Sequence, residues 1–271
     1  MSWCYIAPPQ NVPHRLRIQL PASKSIYNRL LIIRALANVD FPLEAGDLPL
    51  DSLQLNHALK TIGKGAAVIQ AGEGGTTSRF LLAYLCCINY TGTLMLSGTM
   101  VGRPLKPLVQ ALNALGARIQ CEKSDDKLAV QLCRGIKKGG EVHLDASISS
   151  QFISALLLIG PYLSDGLIIH LENRVVSSRY ITMTVALMQQ FGVSVRYTAK
   201  KIAVGQGAYA WTSGKPFYVE ADWSAASYFW MHSHALAIEE VHYTGLESNS
   251  LQGDKLLAHW VKLQGSTSAF A

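Results

Sequence analysis

The chain has 271 residues, 49% hydrophobic and 15% charged, with a formal net charge of +6. That length allows one large domain or two smaller ones around a well-filled core. No apolar run approaches the roughly 18 residues of a membrane helix, which excludes a helical membrane protein. The positive balance favours anionic partners. The lysines and arginines are scattered, and the doublets Lys137-Lys138 and Lys200-Lys201 sit in loop-like segments. No nucleic-acid module is recognisable, so small phosphorylated metabolites are expected rather than nucleic acid. Cys4, Cys86, Cys87, Cys121 and Cys133 form neither a zinc pattern nor a disulfide framework and are read as buried, reduced thiols. His232 and His234 lie two apart in a helical stretch and do not face one another. No metal or other cofactor is expected. Met1-Ser2-Trp3-Cys4-Tyr5 lacks a signal-peptide layout, and a cytoplasmic protein is the expectation.

In chain order, Arg15 to Leu20 alternates strictly, with Leu16, Ile18 and Leu20 on one face: a strand. Pro21 stops it. Ile26, Leu30, Ile33 and Ala37 then recur at helical spacing, with Ser23 as N-cap and Lys24 in the first turn. Ser25 and Arg29 share a helix face. Free backbone N–H groups, the positive end of the helix dipole, two hydroxyls and two cations meet there, as a phosphate or carboxylate site requires. The same residues also suit an ordinary capped helix with solvated charges, since the glycine-rich P-loop signature is absent.

This module then returns. A short strand enters a hydroxyl-rich turn that opens an apolar helix at Thr76–Ser78 before Phe80–Ile88, at Ser147–Ser150 before Ile153–Ile159, and at Ser224–Ser227 after Asp222. Phe80 to Phe152 is 72 positions and Phe152 to Phe229 is 77. Amphipathic helices running into a glycine and a strand form a second, interleaved series. These are Leu53–Ile62 with Gly63, Leu108–Leu115 with Gly116, Ile181–Gln190 with Gly192, and Lys255–Leu263 with Gly265. Gly116 to Gly192 is 76. Extra strands are read at Thr93–Leu96, Leu128–Leu132, Val142–Leu144, Leu167–Leu171 and Phe217–Val219. A period in the low seventies is too long for a solenoid turn and reads as a mixed α/β (α+β) subdomain used several times. Packed about a pseudo-symmetry axis, the four hydroxyl-rich helix starts would converge on a polyanion.

The residues of these segments also carry a family likeness. Leu20-Pro21-Ala22-Ser23-Lys24-Ser25 with Asn28-Arg29 resembles the N-terminal signature of 5-enolpyruvylshikimate-3-phosphate synthases. Gly72-Glu73-Gly74-Gly75-Thr76-Thr77-Ser78-Arg79 is similar to their Gly-Asn-Ala-Gly-Thr-Ala-x-Arg loop, and Gly102-Arg103-Pro104-Leu105 to their Arg-Pro-[Ile/Leu] segment. Ser149-Ser150-Gln151, Ser177-Ser178-Arg179-Tyr180-Ile181, Val219-Glu220-Ala221-Asp222 and Asn249-Ser250-Leu251-Gln252-Gly253-Asp254 complete the set. The resemblance implies an enolpyruvyl transferase fold of repeated βαβαββ units. Residues 22–220 would be a complete three-unit lobe and residues 1–21 and 221–271 part of a second. It implies transfer of the enolpyruvyl group of phosphoenolpyruvate to the 5-hydroxyl of shikimate 3-phosphate with release of phosphate. A monomer is expected at full length.

Carried over by position, Lys24 touches both substrates. Ser25, Arg29, Ser149, Ser150 and Ser177 hold shikimate 3-phosphate, Gln151 lies between the substrates, and Gly75 and Arg103 contact phosphoenolpyruvate. Arg79 and Tyr180 support them. Two substrates that each carry a phosphate and a carboxylate need several charge-assisted donors, worth about 1.5–3 kcal/mol apiece. Addition at the enolpyruvyl carbon also needs an acid and a base. Lys24 is a candidate for that proton transfer. Asp222 is the best carboxylate available, and it equally suits a helix N-cap.

Four positions depart from the pattern: Glu73 replaces Asn, Thr99 replaces Arg, Phe80 replaces a frequent Pro, and Ser178-Arg179 lacks the usual Pro. Six units would need roughly 430 residues, and the chain has 271. The family's later Asp- and Glu-bearing segments are not found, so negligible turnover by these residues alone is expected. The alternatives are a fragment that only binds shikimate 3-phosphate, or a UDP-N-acetylglucosamine enolpyruvyl transferase. The latter family has Lys-Asn where this chain has Lys24-Ser25.

Overall fold

The computed structural model describes residues 11–37, 39, 41–263 and 269–270. In chain order they form β1 (Arg15–Gln19), α1 (Lys24–Ala37), β2 (Leu43–Ala45), α2 (Leu50–Gly63), β3 (Val68–Gly72), α3 (Gly75–Cys87), β4 (Gly92–Ser97), α4 (Lys106–Ala114), β5 (Arg118–Lys123), β6 (Lys127–Arg134) and β7 (Gly140–Asp145). There follow α5 (Ser150–Ile159), β8 (Leu167–Glu172), α6 (Ser178–Gln190), β9 (Val195–Tyr197), β10 (Lys201–Val204), β11 (Phe217–Val219), α7 (Trp223–Ala235), β12 (Glu240–Thr244), α8 (Leu257–Leu263) and β13 (Ala269–Phe270). The described residues divide into two compact units. One is drawn from Met1–Ser23, Ala45–Asp47 and Glu220–Ala271; the other comprises Lys24–Glu44 and Leu48–Val219.

The larger unit contains the repeat. Its first copy is a four-stranded sheet in the order β3-β4-β6-β5, and its second is β7-β8-β10-β9. In each, the first two strands are parallel and joined through a helix, and the last two are added antiparallel. Both are therefore βαβαββ units of one topology. The glycines that close α4 and α6, Gly116 and Gly192, have φ of +96° and +82°, the left-handed geometry of a helix C′ position that glycine adopts without a Cβ penalty. α2 ends the same way, but at Gly65 (φ +76°) rather than Gly63. The third set of elements is split in sequence: α1, β2 and α2 come first, and β2 pairs with β11.

The helices make the core. α1, α3 and α5 pack on one another, with α2 and α6 alongside. Every residue from Thr77 to Cys86 and from Phe152 to Ile159 is buried, as expected of helices that are apolar all round. The sheets lie outside and show period-two burial: Leu128, Val130 and Leu132 of β6 face in, and their neighbours face out.

The smaller unit is built on the parallel sheet β1-β12-β13 with α7 against it. Ile18, Leu20, Trp223, Val241, Tyr243 and Leu246 form its core. The strand after α7 thus pairs with β1, and the whole larger unit is inserted between β1 and α7. An isolated antiparallel bridge, Ala22 to Ala221, ties the two connecting segments together. The Asn249–Asp254 motif braces that point: Gln252 donates to the Ala221 carbonyl at 2.8 Å and accepts from the Trp223 N–H, while Ser250 Oγ donates to Glu220 at 2.6 Å.

Several expectations are corrected. Ser23 does not cap α1; its Oγ is buried without a hydrogen-bond partner among the described residues, while its N–H donates to the Glu220 carbonyl. α3 starts at Gly75, so Thr76, Thr77 and Ser78 lie inside its first turn instead of ahead of it. Lys201 opens β10, a four-residue strand too short to register in the sequence. Cys86 is buried, and burial pushes its thiol up to about 12. Cys121 and Cys133, in contrast, are exposed: Cys133 occupies an outward position of β6, while Cys121 lies on the edge strand β5, two residues beyond buried Ile119. Phe229 does not repeat the burial of Phe80 and Phe152 (1% each); it is 43% exposed. Lys255 and Leu256 belong to a short 3₁₀ turn ahead of α8. Cys4, Gly265 and the Met1–Tyr5 segment lie outside the described residues.

Candidate anion-binding active site

The larger unit holds a cavity of about 430 Å³ lined by the N-terminal ends of several of its helices. Ser25 comes from α1, Gly75 and Thr76 from α3, Ser149 and Ser150 from the start of α5, and Ser177 and Tyr180 from the start of α6. Each end presents unpaired backbone N–H groups and a positive partial charge. Three of the four hydroxyl-rich starts expected to converge do so; the fourth, Ser224–Ser227, belongs to the smaller unit. α6 supplies an additional end. Ser177, its N-cap, has φ +52° and ψ +41°, a left-handed conformation costly for a residue with a side chain. Its hydroxyl makes no capping bond. Ser149 does cap: its Oγ accepts from the Gln151 N–H at 3.2 Å, which leaves its own O–H as a donor.

The cations sort into two kinds. Arg29 is buried and donates through Nε to Thr184 Oγ1 (2.7 Å), through Nη1 to the Ser25 carbonyl (2.6 Å), and through Nη2 to Ser154 Oγ and the Tyr180 carbonyl (3.3 and 3.2 Å). It lies over the rings of Phe80 and Tyr180. Burial lowers its pKa from 12.5 to about 10, so it stays charged at neutral pH. Four of its five N–H donors are engaged in tying α1 to α5 and α6. Arg79, also buried, donates to Gln151 Oε1 and to the Pro104 carbonyl and stacks on Phe152. Burial first, then the nearby Arg103, lowers it to about 10. By holding Gln151 through its oxygen, Arg79 leaves the amide NH₂ of Gln151 to face the cavity.

Lys24 and Arg103 are the outer pair. Lys24 Nζ is 3.1 Å from Asp51 Oδ2, a partly exposed pair. The Arg103 guanidinium lies against Gly75: a Cβ built on that glycine would sit 2.6 Å from Nη1. Glu73 lines the same cavity, accepts from the Thr99 N–H at 3.4 Å and packs against Gly98.

Of the residues expected from sequence, Lys24, Ser25, Arg29, Gly75, Arg103, Ser149, Ser150, Gln151, Ser177 and Tyr180 line this one cavity. Arg79 lies behind it. Asp222 is in the smaller unit, where its Oδ1 accepts from the Ala225 N–H at 3.0 Å and caps α7. Three residues escaped sequence reasoning: Asp51, which faces Lys24, and Ser154 and Thr184, which receive Arg29. The last two left a trace, since a buried hydroxyl four residues from Ser150 or Tyr180 on an apolar helix marks an internal polar contact.

A model of the family described as EPSP synthase (3-phosphoshikimate 1-carboxyvinyltransferase) matches residues 51–267. The 3-phosphoshikimate 1-carboxyvinyltransferase of Bacteroides fragilis is 40% identical over 239 residues, which are 88% of this chain and 57% of that one. That of Actinobacillus pleuropneumoniae serotype 3 is 36% identical over 276 residues, 92% of this chain and 63% of that one. A solved EPSP synthase from Acinetobacter baumannii superposes with a TM-score of 0.64 at 20% identity, covering 82% of this chain and 53% of that one, which bears on the fold alone. The chain thus spans about three fifths of the length of these curated relatives. By the extent of the family match and by these identities, the chain belongs to the EPSP synthase family.

Proposed function

We propose that the protein takes part in enolpyruvyl transfer from phosphoenolpyruvate to the 5-hydroxyl of shikimate 3-phosphate. On this reading the cavity of the larger unit (residues 22–220 as a complete lobe) holds the anionic groups of both substrates. The observation that carries it is the meeting of four helix N-termini, four serines, and Lys24 and Arg103 in one cavity. Ser25, Ser149, Ser150 and Ser177 bind the phosphate and hydroxyls of shikimate 3-phosphate. Gly75 and Arg103 border phosphoenolpyruvate, and Gln151 and Lys24 lie between the two. Arg29 acts chiefly by fixing the Ser25 and Tyr180 backbones. Asp222 is the carboxylate proposed for proton transfer. The named relatives support the reaction class.

Calorimetry with shikimate 3-phosphate and UDP-N-acetylglucosamine, beside a phosphate-release assay with both substrates, tests this. Binding of shikimate 3-phosphate that is lost on Lys24→Met and Ser150→Ala supports it. Binding of the UDP-sugar instead would move the chain to the sister reaction, and binding of neither would refute the reading.

A further inference from the structure

The larger unit has a second cavity, of about 470 Å³, between α4 and the β5–β6 hairpin. Leu105, Ile119 and Leu128 line it as buried side chains and Val109 as a half-buried one. Its exposed lining residues are Arg103, Lys106, Gln110 and Cys121. Such a space is poorly suited to water, since its aliphatic walls return no hydrogen bonds. Apolar walls with a few polar groups at the edge are the composition of small-ligand sites, and the volume suits a molecule of roughly a dozen heavy atoms. The ionisable lining groups select its chemistry. Two are guanidinium and ammonium, and no carboxylate lines the cavity. A bare phosphate would leave the walls uncovered, and a sugar would turn hydroxyls toward leucine and isoleucine without partners.

We propose that this cavity binds a small amphipathic carboxylate, an aryl- or alkyl-carboxylic acid, with its apolar body on Leu105, Val109, Ile119 and Leu128 and its carboxylate on Lys106 and Arg103. Arg103 is common to both cavities, with its guanidinium against Gly75 in the anion site. A carboxylate that draws Arg103 toward α4 removes a cation from that site. The two ligands are therefore antagonists, and by linkage each weakens the other by the same factor. This holds whichever anion fills the first cavity.

Cys121 lines the second cavity and reports on it, while Cys133 is exposed but outside it. Alkylation of the full chain by N-ethylmaleimide is followed at each cysteine by peptide mass spectrometry, with 3-phenylpropionate as probe. At about 10 mM probe, an affinity in the millimolar range slows Cys121 at least about fivefold and leaves Cys133 unchanged. Neutral 3-phenylpropanol protects about tenfold less well. Lys106→Gln, a surface change, weakens protection, and Val109→Asp abolishes it. Inorganic phosphate raises the concentration of 3-phenylpropionate needed. Absence of protection, equal protection by the alcohol, or unchanged protection in Lys106→Gln would each overturn the proposal.

Discussion

Gly75→Ala separates the stability of the larger unit from its ability to hold an anion. Gly75 is the first residue of α3, and an added Cβ would lie 2.6 Å from Nη1 and 2.8 Å from Cζ and Nη2 of Arg103. No backbone stands within that range, and the obstructing group is the far end of a flexible, exposed side chain. The fold can therefore accept the methyl by moving the guanidinium. Alanine at a helical position narrows the unfolded ensemble, a gain of about 0.4–1 kcal/mol. Stability to urea should stay level or rise by that amount. Anion binding should suffer, because a charge-assisted contact worth about 1.5–3 kcal/mol is displaced, a loss of roughly 10- to 150-fold in affinity. Calorimetry with phosphoenolpyruvate measures it. If the effect runs through Arg103, Gly75→Ala adds no more than about 0.5 kcal/mol in an Arg103→Ala background. A loss of stability above about 1 kcal/mol, or full additivity with Arg103→Ala, would refute the reasoning.

Asp51→Asn frees Lys24 from a partly exposed ion pair worth about 0–1 kcal/mol. Its denaturation midpoint should barely move, and phosphate should bind a few times more tightly by calorimetry. Gly139→Ala would set a Cβ 1.8 Å from the carbonyl oxygen of Gly166, where two strands begin and neither backbone can yield. A loss of more than about 2 kcal/mol in urea denaturation is expected, against no change for Gly205→Ala, which meets nothing within 4 Å. Burial raises the pKa of Glu220 above its ordinary 4.5, with Ser250 and Gln252 opposing the shift. The folded chain then holds this proton more tightly than the unfolded one, so its contribution to stability falls as pH rises through that range. Glu220→Gln should therefore stabilise the fold at pH 7. The gain should vanish below the unfolded pKa; a gain persisting there would argue for a packing effect instead.

The repeat was legible because its signals are local. Period-two strands, apolar helices and glycines at C′ positions each follow from a few neighbouring residues, and Gly116 and Gly192 adopt the φ their places require. Helix starts were less legible: α2, α3, α4 and α6 all begin two to five residues ahead of their apolar runs, since first turns tolerate polar residues and leave no periodic mark. The cavity-lining serines could be read as helix starts, and the roles proposed for them come from the family likeness. What no local window contains is the pairing of Lys24 with Asp51, 27 positions on, or of Arg29 with Thr184, 155 positions on. Ser23 shows the reverse error. A residue of ideal capping type is diverted because its backbone is held at the connecting segment by Glu220.

Burying two arginines behind the proposed anion site has a cost, since each is desolvated far enough to lower its pKa to about 10. Their hydrogen bonds indicate what offsets it. Arg29 joins α1 to α5 and α6, and Arg79 joins α3 to Gln151 of α5 and to the Pro104 carbonyl just ahead of α4. Helix N-termini carry positive partial charge and repel one another when gathered at one point. Cations of fixed geometry, donating to hydroxyls and carbonyls just behind those ends, lock them in register before any ligand arrives. The outer cations need the opposite property. Lys24 rests on an exchangeable carboxylate and Arg103 on a glycine that leaves it room, so both can turn to an incoming anion. Exchanging the two kinds would defeat both purposes. A lysine at position 29 has no fork to span Thr184, Ser154 and two carbonyls, and an arginine engaged as Arg29 is could contribute at most one free N–H to a ligand.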